Sequence, residues 1–175
     1  MSDLIVKLYD PSLTTALTNS PANLLADEGS PFADGVIIKR AHIIDKEAIL
    51  SFIRQTFPNS LPWVNECEYS LFNQPTTCFI AVQHNQVVGF ACYDATAKGF
   101  FGPMGVNPAL RGLGVGRSLL FRCLTAMKEV GYAYAIIGWP ATEAVDFYHR
   151  VAGAIPIPDS GPESSIYQLR LASPC

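Results

Sequence analysis

Charge is scarce in this sequence. Only 15% of its 175 residues are Asp, Glu, Lys or Arg, against about 25% in an average domain. The net charge is −3 and no Lys/Arg run stands out, so nothing marks the surface for nucleic acid. Long apolar runs are also missing. None approaches the ~20 residues of a membrane span, so no membrane partner is expected. No basic start leads into an apolar centre, the pattern of a signal peptide. The five cysteines, Cys67, Cys78, Cys92, Cys123 and Cys175, are scattered, with no Cys-x-x-Cys pair and no Cys/His cluster. Neither a disulfide framework nor a metal site is expected from that spacing. His42, His84 and His149 stand too far apart in sequence to suggest one either. Reduced thiols in a cytoplasm are the simplest reading.

What is abundant is apolar, at 49% of the chain. A chain of this size buries around 70% of its unfolded surface, so a single core holds it without a staple. High apolarity with so little charge points to a surface covered by a second copy, a homodimer.

Residues 1–35 read as an N-terminal arm or extension, too short for a core of its own. Leu4 to Tyr9 reads as a short strand, and Asp10-Pro11 as a helix start with Asp10 capping. Thr18 to Gly35 has a loop composition. The main domain is 36–175. Val36 to Arg40 is a strand. A helix follows with Asp45 as N-cap and Ala48, Ile49, Phe52, Ile53 and Phe57 along one stripe. Leu61 to Phe72 is a second helix. Cys78 to Gln83 and Gln86 to Asp94 form a hairpin over His84-Asn85, and Lys98 to Val106 is the next strand. Arg111 to Val130 is a long helix, buried along Leu119, Leu120, Cys123, Leu124, Met127 and Val130, with Gly131 as its stop. Ala133 to Gly138 reads as a strand buried on both faces. Thr142 to Val151 is the last helix, and Ile155 to Pro158 and Ser165 to Leu171 are terminal strands. This order predicts a mixed α/β sheet with helices on both faces.

The most informative stretch runs from Val106 to Gly116, between a predicted strand and a predicted helix. Glycines at 112, 114 and 116 let main-chain N–H groups close on a bulky anion. A helix start offers unpaired donors and a partial positive charge. A phosphate-bearing cofactor is the expected ligand. Three turns of this kind compete. A P-loop ends in Gly-Lys-Ser/Thr, whereas Gly116 is followed by Arg117-Ser118. A dinucleotide turn is Gly-x-Gly-x-x-Gly with an acid about 20 positions on. Here the spacing is Gly-x-Gly-x-Gly, and Glu129 comes too early. The third turn, Val-x-Pro followed by Arg-x-x-Gly-x-Gly, is met by Val106, Pro108, Arg111, Gly114 and Gly116.

At these residues, and again at Ala144-Val145-Asp146-Phe147-Tyr148, the chain resembles the GNAT superfamily of N-acetyltransferases. The likeness runs from about Val36 to Leu171. More narrowly, Gly131 to Gly138 and Val151 to Pro158 resemble a bacterial subgroup whose domain can accompany sugar-processing enzymes. The resemblance implies a GNAT-like mixed, mostly antiparallel sheet flanked by helices on both faces. It implies acetyl-CoA as acyl donor and a primary amine of a small molecule or peptide as acceptor. A non-catalytic CoA-binding or sensing module of the same fold is the alternative.

For the site, the resemblance implies that main-chain amides around Arg111, Gly112, Leu113, Gly114, Val115, Gly116 and Arg117 hold the diphosphate. The strand ending Met104-Gly105-Val106 would splay from Ile137-Gly138-Trp139, with the pantetheine arm between them. Val106 would bond that arm, and a nearby N–H would polarise the acetyl carbonyl. Tyr148 is the implied catalytic residue. A phenol of ordinary pKa, about 10, is placed to donate to a forming thiolate of about 8.5. Many relatives carry a glutamate on the strand before the glycine turn, where this chain has Phe101 or Gly102. The asparagine often found three residues before the motif alanine is Ala141 here. Glu66, Glu68, Asp94, Glu143 or water remain as candidate bases, and Trp63, Tyr69 and Phe72 as candidate walls of an acceptor pocket.

Overall fold

The computed structural model describes residues 2–20, 31–32 and 35–161. The strands are β1 (Leu4–Lys7), β2 (Pro31–Phe32), β3 (Val36–Arg40), β4 (Cys78–Gln83), β5 (Gln86–Tyr93), β6 (Phe100–Val106), β7 (Tyr134–Ile137) and β8 (Ile155–Pro156). The helices are α1 (Pro11–Thr18), α2 (Lys46–Thr56), α3 (Leu61–Leu71), α4 (Val115–Glu129) and α5 (Thr142–Ala152). Short 3-10 turns at Ile43–Asp45 and Pro108–Leu110 precede α2 and α4.

The strands form one sheet in the order β2-β3-β4-β5-β6-β7-β1-β8. Every neighbouring pair is antiparallel except β6 and β7. Side chains on the central strands alternate between two cores, as the pleat requires. Phe79, Ala81, Ala91 and Tyr93 face α1, α4 and α5, meeting Leu13, Leu17, Leu119, Phe121, Met127 and Ala152. Cys78, Ile80, Phe90 and Cys92 face the other way, onto Ile49, Leu50 and Ile53 of α2 and Val64, Cys67 and Leu71 of α3. The mixed sheet with helices on both faces is therefore as expected.

The arm supplies an inner strand. Leu4, Val6 and Leu8 are buried at period two, and β1 lies between β7 and β8, with Leu4 opposite Ile137 and Pro156. Asp10 caps α1 through its carboxylate, which accepts the amides of Ser12 and Leu13. The hairpin turn is as read. His84 and Asn85 both take positive φ, 48° and 61°, which a two-residue turn of this twist requires.

Several boundaries move. The long helix begins at Val115, not Arg111, because Gly114 sits at φ 83° as its N-cap. Val130 is its C-cap and 61% exposed, so it leaves the buried stripe. In α2 the buried face is Ile49, Leu50 and Ile53, while Ala48 is exposed. Asp45 stands at the N-cap position of α2 without capping it. Its carboxylate instead accepts the His42 amide and pairs with Lys39 at 3.0 Å. Strand β7 is not buried on both faces: Ala135 and Ile137 are buried, but Tyr134 is 53% exposed. β2 arises in a segment read as loop and pairs with β3. The predicted strand Ser165 to Leu171 lies outside the described residues.

Gly105 shows how tightly β6 meets the α2–α3 face. A Cβ there would stand 2.5 Å from the Phe57 ring. Overpacking of that kind costs typically 1–3 kcal/mol. Gly105→Ala is therefore expected to lower the urea midpoint by an amount worth about 1–3 kcal/mol; an unchanged midpoint would contradict the fit.

Candidate active site

β6 and β7 run side by side for two residue pairs only, Phe100 with Ile136 and Phe101 with Ile137. Beyond that they part. On β6 the next residues are Gly102, at φ 120°, and Pro103, and the β5–β6 register shifts at the same place. Pro103 has no N–H to give a neighbour. On the other side β7 ends, and Trp139 turns off at φ 39°. A non-glycine residue held there is strained by order 1–3 kcal/mol unless its surroundings enforce it. The enforcing group is Asp3, 6% exposed, whose carboxylate accepts the Trp139 amide at 2.8 Å. Asp3 also gives its own amide to Ser160 Oγ and accepts the Ile157 amide, each at 2.8 Å.

The parted length of β6 offers its main chain to the gap. The Asn107 amide bonds Val88 of β5 at 2.8 Å. Backbone direction alternates along a strand, so the amides of Met104 and Val106 face the opposite edge, toward the gap. The side chains of Met104 and Val106 pack partly buried against the α4 core.

β6 leads straight into the glycine turn. Asn107 Oδ1 accepts the Ala109 amide at 3.0 Å. Gly112 and Gly114 both take φ 83°, a conformation that costs another residue about 1–2 kcal/mol. Gly116 is different. It has no positive φ, and a Cβ there meets only Val106 at 3.7 Å and Phe147 at 3.9 Å. Backbone that favours glycine thus occurs at 112 and 114 and not at 116, which lies inside the helix. The amides of Val115, Gly116 and Arg117 open α4 and have no partner within it. No acidic residue stands in that first turn, so the positive end of the helix dipole is uncompensated. The Val115 side chain is buried in the core, while Arg111 and Leu113 are exposed. Arg117 is exposed too, its guanidinium 5.1 Å from the Phe121 ring centre.

Tyr148 of α5 lies beneath the parting point. Its ring meets Phe101, the last paired residue of β6, edge-on at 6.0 Å, and Phe147 at 5.2 Å. It is 8% exposed, and burial pushes its phenol well above the usual tyrosine range, with Cys123 adding to the shift. Phe147 is the less buried of the two.

In front of the gap is a cavity of about 240 Å³. Gly102 and Pro103 of β6, Gly138 and Trp139 after β7, and Trp63 and Glu66 of α3 are among its walls. Of the four candidate acids, Glu66 alone lines it, held by the Thr96 hydroxyl at 2.7 Å. Glu68 pairs with Lys46 at 3.0 Å. Asp94 is buried among Lys98, the Gly99 amide and the Tyr132 hydroxyl. Glu143 is exposed at the start of α5. Trp63 lines this cavity and Tyr69 and Phe72 do not: they are 54% and 62% exposed, away from it. Sequence reasoning placed Trp139 at the gap but missed Asp3 and the bond between them, since only the pairing of β1 with β7 brings them together.

The scattered cysteines conceal one cluster. Cys67, Cys78 and Cys92 are fully buried with their sulfurs within 4.8 Å of one another. Burial raises the Cys92 and Cys123 thiols well above the usual range.

This chain is similar to known proteins in sequence profile and in fold. The profile of the acetyltransferase (GNAT) family matches residues 44–154, more than half of the chain. The chain belongs to the GNAT acetyltransferase family. Its fold is similar to a GCN5-related glucosamine N-acetyltransferase region of a fungal multi-domain GH3 β-N-acetylglucosaminidase, with a TM-score of 0.60 and 15% identity over 89% of this chain and 19% of that one. A GCN5-related N-acetyltransferase from Sphaerobacter thermophilus gives a TM-score of 0.63 and 20% identity over 89% of this chain and 48% of that one. A GNAT acetyltransferase from Brucella melitensis, solved with acetyl-CoA, gives 0.53 and 18% over 74% and 92%. The chain thus spans about a fifth and about half the length of the first two. No curated protein matches the sequence. Among the described residues, no helix is long and apolar enough to cross a membrane.

Two substitutions separate the glycines. Gly114→Ala is expected to destabilise by about 1–2 kcal/mol, whereas Gly116→Ala leaves stability unchanged or slightly higher. Equal losses in urea unfolding would contradict this. Asp3→Ala leaves the Trp139 amide without its acceptor and is expected to cost about 1–3 kcal/mol. An unchanged melting curve would remove Asp3 from the role of clamp.

Proposed function

We propose that this protein transfers an acetyl group from acetyl-CoA to a primary amine of a small molecule or peptide. The observation that carries this is the early parting of β6 and β7 above the open start of α4. The residues present fit the donor. Two left-handed glycines and a helix N-terminus without an acid in its first turn form a cradle for a diphosphate. The acetyl-CoA bound to the Brucella relative supports the same reading.

Acetyl-CoA supplies an acyl group on a thioester. The chain's own groups divide the remaining work. The amides of Gly112, Gly114, Val115, Gly116 and Arg117 hold the diphosphate, each helix-end contact worth about 0.3–1 kcal/mol where exposed; contrary to the sequence expectation, those of Arg111 and Leu113 are already given to the Pro108 and Leu110 carbonyls. The Arg111 and Arg117 guanidinium groups add charge-assisted bonds. The amides of Met104 and Val106 take the pantetheine arm as a strand-like neighbour and polarise the acyl carbonyl. Such donors are commonly worth ~2.7–4 kcal/mol in acyl transfer. The amine nitrogen forms the new C–N bond and gives its proton to water, while the C–S bond breaks with its electron pair leaving on the coenzyme sulfur. Tyr148 stabilises that sulfur. With its pKa raised by burial, its phenol stays protonated and acts as a hydrogen-bond donor rather than as a source of free protons.

One observation favours a second reading, a CoA-binding module without chemistry. β6 carries Phe101 and Gly102 where many relatives carry a glutamate, and the Phe101 ring packs on Tyr148. Acetyl-CoA binding without thiol release across a broad amine panel would establish that reading.

Acetyl-CoA at 100 times its Kd should raise stability by ~2.7 kcal/mol, and an unshifted melting curve with saturating acetyl-CoA sinks the assignment. Tyr148→Phe is expected to lower turnover by about 10²-fold or more with near-normal acetyl-CoA affinity. Because the phenol's pKa is raised, wild-type activity should show no Tyr148-dependent loss as pH climbs from about 7 to 10; a tyrosine-dependent fall below pH 10 excludes this role.

A further inference from the structure

The core on the α2–α3 side holds a group of side chains that takes no part in the site at the β6–β7 gap. Cys78 and Cys92 stand directly opposite each other on β4 and β5. Cys67 meets them from α3 in the same buried cluster. The three sulfurs lie within 4.8 Å of one another, with Cys67 and Cys78 4.0 Å apart. All three residues are fully buried. Ser70, one turn after Cys67 and also buried, sets its hydroxyl 3.3 Å from Cys92 Sγ and 2.6 Å from the Cys67 carbonyl oxygen.

A buried thiol often serves as no more than a small apolar side chain. Cys123 is one of that kind. It lies in the opposite core, with its sulfur 3.6 Å from the Ala91 carbonyl oxygen. The other three differ in that they converge, from one helix and two strands, on a single point.

We propose that Cys67, Cys78 and Cys92 form a three-sulfur site for a soft monovalent metal ion, copper(I). Distance carries this first. A metal–thiolate bond is about 2.3 Å long, and an ion at the centre of a flat triangle of such bonds spaces its sulfurs about 4.0 Å apart. Cys67 and Cys78 already stand at 4.0 Å. The remaining separations are bounded by 4.8 Å, so the triangle closes with shifts of at most about 0.8 Å. The ligands also sit on rigid elements, two on a paired stretch of sheet and the third on a helix packed against it, which leaves little to order on binding. A donor set of sulfur alone is soft and suits copper(I), whereas zinc prefers a tetrahedron of four ligands. The Ser70 hydroxyl supplies an outer hydrogen bond to the Cys92 sulfur, the kind of support that tunes metal ligands.

The protons balance simply. Each thiol that becomes a ligand thiolate releases its proton to water, Cys78 giving up its contact with the Phe79 carbonyl, and copper stays in the +1 state throughout. Local opening of α3 admits the ion; Tyr69 and Phe72, at the C-terminal end of that helix, are exposed. Once bound, the ion ties α3 to β4 and β5. The cluster lies apart from the glycine turn, so the proposal stands independently of acetyl transfer.

The reduced protein is titrated with copper(I) under argon, in competition with bathocuproine disulfonate, a coloured copper(I) chelator. One ion per chain and a raised melting temperature are expected. X-ray absorption of the loaded protein should show three sulfurs at about 2.3 Å from copper. Cys67→Ala, Cys78→Ala and Cys92→Ala should each weaken binding by about 10²-fold or more, while Cys123→Ala and Cys175→Ala bind as the wild type does. Failure to take up copper(I), even with zinc(II) bound, overturns the proposal. So does a copper shell of nitrogen or oxygen, unchanged affinity in the three variants, or loss of binding in Cys175→Ala. If the three variants do not fold, the X-ray spectrum of the wild-type protein decides: a shell of three sulfurs upholds the site and any other shell overturns it.

Discussion

The parallel contact between β6 and β7 ends after two residue pairs, and the rest of the site depends on that ending. Had the ladder continued, the amides of Met104 and Val106 would be spent on β7, and no edge would remain for a ligand's chain. Two local devices enforce the separation. Gly102 and Pro103 break the ladder from the β6 side, one by a backbone angle and the other by lacking a donor. Trp139 turns the chain away on the β7 side, held by Asp3. The same strand then reaches the glycine turn within a few residues. The main-chain donors of the parted strand and those of the glycine turn therefore lie along one continuous path. Phe57 against Gly105 and Tyr148 against Phe101 press on β6 from opposite faces, which fixes where that path runs.

Much of this was legible in the residues themselves. The alternation of Leu4, Val6 and Leu8 marked a strand, the Asp10-Pro11 pair marked a helix start, and His84-Asn85 marked a hairpin, each by local chemistry. The glycine turn was equally plain, because left-handed backbone at Gly112 and Gly114 and an open helix start are sequence-local demands. What could not be read were the long-range meetings. Asp3 and Trp139 lie 136 positions apart, so no pattern within either neighbourhood announces the bond. Glu66 was one acid among four until the fold placed Glu68 against Lys46 and buried Asp94 in its own network. Asp45 shows a subtler failure. Its position suits a cap, but the preceding 3-10 turn and Lys39 claim the carboxylate first.

The two cores differ in what they support. The α1–α4–α5 side carries the glycine turn and Tyr148 on a continuous apolar floor of Leu119, Leu120, Cys123 and Met127. The α2–α3 side is richer in aromatic rings. Phe52, Phe57, Trp63 and Phe90 meet within 6.5 Å of one another in a chain of tilted and edge-on contacts. Edge-to-face pairs of that kind add about 0.5–1.5 kcal/mol each beyond burial. Trp63 belongs to both that cluster and the cavity wall, so the cavity is stiffened by the same rings that build the core behind it.

The position of β1 has a consequence for how the molecule is made. Leu4 through Lys7 are synthesised long before their partners, Tyr134 to Ile137 and Ile155-Pro156. Contacts of such long sequence separation close slowly, since the entropy of the intervening loop is lost before any pairing compensates for it. The hairpin of β4 and β5, with α2 and α3 over it, can assemble while synthesis continues. The Trp139 turn cannot. The nascent chain therefore leaves this side of the gap unfinished until β7 and β8 have been made.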